Sequence, residues 1–339
     1  MTPVAEISTK TPNRRRQAVY WLISLGLAAA LLYVSLRGIE WARVGQILRT
    51  AYGPYVGLII IFNSVALFLR SIRWRVLLAA QGRVSVRDAF FATSAGYLAN
   101  NVLPARAGEL VRTMMISTRT NLSKAYVLTT ALLERVADAI ALITISAGVL
   151  ITLKDQPAWV ANAAKPFAII GVAGLLAIAT LPRMERLWFK LLVAMPLPKG
   201  LHEKFEHLLR EMLSGIGSFH DAGRATRFIA LTIAVWCVDA FGTTIGAKAI
   251  GLEISLPVAF LLIAALGLGS ALPSTPGYVG IYQFVAVTVL TPYGFSRTDA
   301  IAYILFAQAV LYAVVGFWGV IGFSQHRKNA VAPQQIPIG

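Results

Sequence analysis

The chain has 339 residues, of which 57% are hydrophobic and only 14% are charged. Soluble proteins carry about 25% charged residues, so this composition, with a mean hydropathy of +0.68, excludes a soluble enzyme and a disordered chain. It also excludes a nucleic-acid binder, although the formal net charge is +16. The predicted fold class is an all-α polytopic membrane protein.

Cysteine and histidine usage predicts neither a disulfide nor a metal site. Cys237 is the single cysteine of the sequence, and the four histidines lack the spacing of a zinc-binding motif. No cofactor is expected.

Six apolar runs approach the roughly 20 residues that a helix needs to cross a bilayer. In chain order they are Val19–Leu36, Pro54–Leu69, Ala125–Leu153, Pro166–Leu181, Phe228–Ile250 and Asp299–Phe323. The first follows three arginines and lacks a cleavage site, which predicts a retained signal anchor with a cytoplasmic N-terminus. The predicted organisation is a basic tail (1–16), a transmembrane domain (17–325) and a cytoplasmic tail (326–339).

Two shorter apolar stretches, Asp88–Leu103 and Pro257–Leu272, each run into a proline followed by glycine. Proline removes a backbone donor and glycine admits positive φ, so each break predicts a re-entrant helical hairpin within the membrane. The residues assigned to the breaks are Pro104, Gly108, Pro273, Pro276, Gly277 and Gly280.

Basic residues orient the predicted spans in the cytoplasmic membrane. The loop Arg70–Arg87 carries five arginines and the connection 182–227 carries eight basic residues, whereas Gly251–Leu256 carries none. The positive-inside rule therefore places the first two segments and both termini in the cytoplasm. The loop Arg37–Gly53, with three arginines on the outer side, fits least well. Apolar residues near a 3.6-residue period make Leu201–Phe219 an amphipathic helix on the inner leaflet.

The two hairpin regions also resemble each other. Gly82 precedes Pro104 by the same interval by which Gly251 precedes Pro273. Because the hairpins enter from opposite sides in the predicted topology, they indicate an inverted repeat, the architecture of many transporters. The alternative is that both breaks are ordinary kinks between packed helices.

Ionised residues inside predicted spans need a partner or a function. Glu134, Arg135 and Asp138 lie on neighbouring parts of one helix face, where Arg135 can neutralise a carboxylate. They either pin helix packing or face a hydrated cavity, where a carboxylate can carry a proton or hold an arginine of the hairpin. Asp239 is expected to be protonated, to couple to protons, or to pair across helices with Arg106 or Arg135.

The first break offers the best candidate site for a lipid headgroup. Arginine's planar fork suits phosphate oxygens, and the start of a helix adds positive potential. The alternative is that Arg106 and Arg112 only reach the cytoplasmic surface. The predicted headgroup-binding residues are Asn101, Arg106, Glu109, Arg112, Arg135, Tyr282 and Gln283, with Glu134, Asp138 and Asp239 balancing charge or coupling protons.

Three ordered motifs carry a resemblance to a known family. They are Asn100-Asn101-x-Leu103-Pro104-x-Arg106-x-Gly108-Glu109-x-x-Arg112, Glu134-Arg135-x-x-Asp138 and Pro273-x-x-Pro276-Gly277-x-x-Gly280. Over roughly residues 15–325 they resemble the flippase-like transmembrane domain of lysylphosphatidylglycerol synthases. In bifunctional members this domain is thought to move an aminoacylated phospholipid between leaflets. The resemblance implies a stand-alone member without the synthase domain. At Gln283 this sequence departs from the glutamate often found in the family.

The sequence thus predicts a lipid transporter whose partners are membrane lipids, anionic or aminoacylated phospholipids among them. A homo-oligomer and a separate lipid-modifying enzyme stay open as partners. The alternative function is a membrane glycosyltransferase, or its accessory, acting on a polyprenyl-phosphate-linked or hopanoid-type lipid. A third hypothesis is a non-transporting scaffold that binds lipid or partner helices.

The predicted topology can be checked by cysteine labelling in a Cys237→Ser background. Glu253→Cys should react with a membrane-impermeant maleimide in intact cells, because its loop is predicted to be extracytoplasmic. Arg83→Cys should react only after permeabilisation. The reverse pattern would contradict the orientation.

Overall fold

The computed structural model describes residues 14–103, 107–152, 221–270 and 275–331, together with scattered positions between 166 and 217. Over these ranges the regular structure is helical and no strand occurs. The helices are α1 (Arg14–Leu36), α2 (Trp41–Arg49), α3 (Gly53–Leu78), α4 (Val86–Val102), α5 (Gly108–Ser117), α6 (Lys124–Thr152), α7 (Ala222–Ala249), α8 (Leu256–Gly269), α9 (Ile281–Leu290) and α10 (Arg297–Val331).

Three of these helices are long and apolar enough to cross a membrane: α3, α7 and most of α10. The end of α1 and α2 form a fourth candidate span that is bent by 87°. All three long helices expose large apolar side chains, as expected where helices face lipid tails. The chain is therefore a multi-pass helical membrane protein. Half of the predicted span Pro166–Leu181 and most of the amphipathic segment Leu201–Phe219 lie outside the described residues.

The loop predicted at Arg70–Arg87 is largely helical. Helix α3 continues past Leu69 to Leu78, so Arg70 and Arg73 belong to a helix. Arg73 is buried and pairs with two carboxylates of another helix. Because these carboxylates neutralise its charge, Arg73 can lie inside the protein and not in a loop at the membrane surface. The true connection is short, and the Ser85 side chain caps the next helix by accepting the backbone N–H of Asp88 at 3.0 Å.

The predicted outer loop Arg37–Gly53 contains helix α2. The chain turns sharply after α1, so that α2 runs nearly at right angles to α1. The Val44 side chain of α2 is buried. Arg43 forms an ion pair with Asp299 of α10 at 3.1 Å, and the backbone N–H of Glu40 donates to the Thr298 hydroxyl at 3.3 Å. One of the arginines that fitted the topology poorly therefore has a carboxylate partner.

Helices α3 and α7 form an extensive contact, and two small residues permit it. A Cβ atom at Gly242 would lie 3.4 Å from Phe62, and one at Gly246 would lie 3.1 Å from Ile59. The GxxxG spacing in α7 thus serves close helix packing.

Helices α4 and α5 form the first hairpin, and their backbones touch. The backbone N–H of Gly108 donates to the Asn100 side-chain oxygen at 2.8 Å. A Cβ atom at Gly108 would lie 2.0 Å from the carbonyl oxygen of Gly96, so only glycine fits there. Both outer ends of this hairpin meet the end of α10: Arg119, just after α5, pairs with Asp88 at 2.5 Å and donates to the Gln325 carbonyl at 3.0 Å.

Helices α8 and α9 form the second hairpin, whose break is built on unusual backbone angles. Gly277 and Gly280 have φ values of 72° and 90°, and Tyr278 has a φ of 59°. The Gln283 side chain accepts the backbone N–H of Gly280 at 2.7 Å, which fixes the start of α9. The break packs on α4, so the two hairpins meet inside the bundle.

The hairpins begin and end at opposite ends of the bundle. The first hairpin has its outer ends beside the end of α10. The second hairpin follows α7 after a connection of six residues and leads back to the start of α10. The backbone hydrogen bond from Tyr52 to Ala249, at 2.7 Å, holds the start of α3 against the end of α7. Opposed hairpins of this kind are what an inverted repeat requires, and the repeat itself stays a prediction. Pro104, Arg106 and Pro273 lie outside the described residues.

Replacing Gly108 by alanine should destabilise the first hairpin. The added Cβ meets backbone rather than a movable side chain, so we expect a loss of about 1–3 kcal/mol in stability. The measurement is thermal unfolding of the detergent-purified protein. Gly148→Ala in α6 is the matched control, because nothing lies within 4 Å of its added Cβ. Equal stability of the two variants would contradict the packing described.

Candidate functional site

Six buried or half-buried charged side chains form a continuous series of ion pairs across three helices. The series contains as many arginines as carboxylates, and each member contacts the next. We call it the charge network: Asp138, Arg73, Glu134, Arg112, Glu109 and Arg135.

Arg73 and Arg112 approach Glu134 from two different helices. Arg73 donates to Glu134 at 2.9 Å and to Asp138 at 2.5 Å, and its side chain is fully buried. Arg112 donates to Glu134 at 2.7 Å and to the Ala131 carbonyl at 3.0 Å. The ring of Trp74 covers the Arg112 guanidinium at 4.6 Å, which adds a cation–π contact. Glu134 therefore pairs with an arginine of the hairpin, but it does so buried in the protein and not in a hydrated cavity, as the packing alternative expects.

Arg135 pairs with a carboxylate of the first hairpin, Glu109, and not with a carboxylate of its own helix. Its Nε lies 2.7 Å from a carboxylate oxygen of Glu109, the other oxygen of which lies 3.7 Å from Nε of Arg112. The predicted neutralisation of Glu134 or Asp138 by Arg135 is therefore wrong. Arg73, which the sequence placed in a loop, supplies that neutralising charge instead.

Asp239 pairs across helices, but with Arg70 of α3 rather than with Arg106 or Arg135. Both nitrogens of the Arg70 fork donate to the two oxygens of the Asp239 carboxylate. The rings of Tyr97 and Trp236 lie 6.0 and 5.5 Å from the Arg70 guanidinium. Two paired arginines, Arg70 and Arg73, were thus missed by sequence reasoning. Their three-residue spacing on one helix face, directly after an apolar run, is the signal that could have found them.

Opposite charges balance in this part of the chain. The charge network and the Arg70–Asp239 pair together hold four arginines and four carboxylates, a formal charge of zero. Ionised residues are tolerated at membrane depth when they pair in this way. Among the described residues, no cluster of three His, Cys, Asp or Glu side chains is arranged to hold a metal ion.

A cavity of about 260 Å³ lies where the two hairpins meet. Its wall includes the inner ends of α4 and α8 and the second break, together with α3, α6, α7 and α10. The Tyr278 and Tyr282 rings stack in this wall, 4.9 Å apart with 10° between their planes. The cavity is therefore bounded by both broken elements and by the long helices around them.

Of the nine predicted ligands and charge-balancing residues that the structure describes, five line this cavity. The residues that line it are Asn101, Arg135, Asp138, Asp239 and Tyr282. Glu109, Arg112 and Glu134 lie behind the wall in the charge network, buried within the protein. Gln283 is also buried and donates to Gln308 at 2.7 Å, so it supports the second break.

These features define a helical membrane protein with two opposed hairpins, a cavity between them that several ionised and polar side chains line, and a neutralised network of buried charges. The chain belongs to the family described as the lysylphosphatidylglycerol synthase TM region, which matches residues 21–319. A curated relative, glycosyltransferase AglD of Haloferax volcanii, is 25% identical over 316 residues, covering 82% of this chain and 49% of the relative. The chain thus spans about half the length of that relative. Both similarities indicate a membrane lipid-related protein.

Glu134→Gln should strongly destabilise the protein. The substitution leaves Arg73 and Arg112 without their shared buried carboxylate, and breaking a buried pair costs about 3–5 kcal/mol. Thermal unfolding in detergent measures this loss. Glu206→Gln is the matched control: its pair with Arg210 is largely solvent-exposed, so we expect a change below about 1 kcal/mol. A Glu134→Gln protein as stable as this control would show that the charge network is not formed.

Proposed function

We propose that this protein is an integral membrane transporter that moves a phospholipid, or another phosphate-bearing lipid, between the leaflets. The observation that carries the proposal is the cavity at the meeting point of two hairpins that start at opposite ends of the bundle. Broken helices that meet near the middle of a membrane around a polar site are characteristic of transporters with alternating access. Membership of the lysylphosphatidylglycerol synthase TM region family supports the same proposal.

In this mechanism the polar headgroup crosses through the cavity while the acyl tails stay in the surrounding lipid. The cavity supplies hydrogen-bonding groups at a depth where an unsolvated headgroup is costly. Arg135 is the arginine of the charge network best placed for direct contact, since it lines the cavity and its side chain is 31% exposed. Arg112, with 1% of its side chain exposed, instead holds α5 against α6.

In this proposal the Arg70–Asp239 ion pair holds α3 against α7. Both residues line the cavity, with side chains 15% and 18% exposed. A headgroup that approaches Arg70 competes with Asp239 for the same guanidinium, so substrate binding and the contact between these helices are linked. This proposal also includes four predictions from the sequence: the inverted repeat, the cytoplasmic termini, the location in the cytoplasmic membrane and a separate lipid-modifying partner.

Leaflet transfer can be measured in proteoliposomes with acyl-labelled fluorescent lipids and an external quencher. The purified protein should move labelled phosphatidylglycerol, labelled phosphatidylglucose or both faster than protein-free vesicles do. Ala307→Trp should reduce transfer to the protein-free level, because residue 307 lines the cavity and an indole would fill it. Ala230→Trp, at an exposed position of α7, is the matched control and should transfer normally.

Both variants are first shown to be monodisperse and folded, and Ala307→Leu replaces Ala307→Trp if the latter does not fold. Normal transfer by a folded, cavity-filled variant would overturn the proposed route. Absence of transfer by the wild-type protein with both lipids would overturn the transport function.

The second candidate function is action on a lipid-linked sugar as a glycosyltransferase or its accessory. The similarity to glycosyltransferase AglD favours it, although that similarity covers only 49% of the relative. The two functions differ in their products. Mass spectrometry of the vesicle lipids detects a transferred sugar if the protein is an enzyme, and unchanged lipids if it only moves them.

A further inference from the structure

The ionised groups that line the cavity cancel one another. Arg70 pairs with Asp239 inside the wall, while Arg135 and Asp138 pair with members of the charge network behind it. Within the described residues, an anion that enters the cavity therefore meets arginines that already have carboxylate partners. Net Coulomb attraction is small for such a group, because gaining one ion pair requires breaking another.

The uncharged part of the wall is largely apolar and also contains tyrosines and side-chain amides. Each tyrosine offers a flat apolar face and a hydroxyl that both donates and accepts, and the side-chain amides donate and accept as well. The residues concerned are Tyr97, Tyr278, Tyr282, Tyr312, Asn101 and Gln308. Flat apolar faces beside neutral hydrogen-bonding groups suit a ring that carries hydroxyls at its edge and C–H groups on its face, which is the chemistry of a sugar.

The stacked pair of Tyr278 and Tyr282 is held in place by an uncommon backbone conformation. Tyr278 adopts a φ of 59°, a left-handed conformation that is unfavourable for a non-glycine residue. The carbonyl oxygen of the neighbouring Gly277 accepts hydrogen bonds from the Tyr312 hydroxyl and from the Gln308 amide, the latter at 3.1 Å. These bonds hold Gly277 in place. Residues held in such conformations cluster at ligand sites, where the surrounding structure imposes them.

We infer that the cavity receives the glycosyl ring of a lipid headgroup, which lies against the face of the Tyr278–Tyr282 pair. This inference rests on the proposed transport function and names its substrate class. Hydroxyls of the sugar bond to the Asn101 amide and to the phenol groups of Tyr97 and Tyr282, whereas Gln308 and Tyr312 bond to Gly277 and support the break. The phosphate that links the sugar to the lipid is not the group that the cavity selects.

Phosphatidylglucose and phosphatidylglycerol with the same fluorescent acyl chain make a matched pair of probes. Both carry one phosphodiester charge, and they differ only in having a sugar ring or a glycerol. In wild-type proteoliposomes, phosphatidylglucose should move about tenfold faster, the effect of one good ring contact. Tyr282→Leu should remove this preference, so that the ratio of the two transfer rates falls to about one, and Tyr282→Phe should retain the ratio because the ring remains.

Equal rates for the two lipids would overturn the inference while transport itself stands. A parallel fall of both rates in a folded Tyr282→Leu variant would show a purely structural role for this ring, and would also overturn it. If Tyr282→Leu does not fold, Tyr278→Leu provides the same comparison. Failure of the wild-type protein to move either lipid removes the proposed function as well, so the two failures are distinguishable.

Discussion

Neutralisation of buried charge is the constraint on which the rest of this structure depends. Arg73 is fully buried, so its two carboxylate partners on α6 are obligatory. The same carboxylate, Glu134, binds Arg112 of α5. Helix α5 has 10 residues, about half the length that crosses a bilayer, and packs its Met115 and Ile116 side chains into an apolar cluster. Ion pairs to α6 add to this packing and fix the returning leg of the first hairpin.

Local chemistry in the sequence was sufficient to predict the hairpins and the charged motif. Proline and glycine act through the backbone of their own segment, so the breaks near Gly108 and Gly277 could be read directly. The identity of ion-pair partners could not. Arg73 and Glu134 are 61 residues apart, and Arg70 and Asp239 are 169 residues apart. Such pairs depend on how helices pack, and arginines after an apolar run look like the start of a cytoplasmic loop.

The two breaks share a sequence pattern but use glycine for different reasons. At the first break, Gly108 is required because α4 approaches so closely that no Cβ fits. At the second, Gly277 and Gly280 adopt positive φ values that open the chain between α8 and α9. The described glycines of the two breaks are therefore alike in sequence but not in structural role. A pattern search alone cannot make this distinction, since both roles select the same residue.

Helix α1 packs directly against the second hairpin. A Cβ atom at Gly280 would lie 2.6 Å from the carbonyl oxygen of Ala28, so the two backbones are in direct contact. Arg297, at the start of α10, donates to the carbonyls of Val34 and Ser35 near the end of α1. Because these contacts join backbone to backbone, a displacement of α9 is expected to move α1 with it. The first helix and the second hairpin thus form one packed unit.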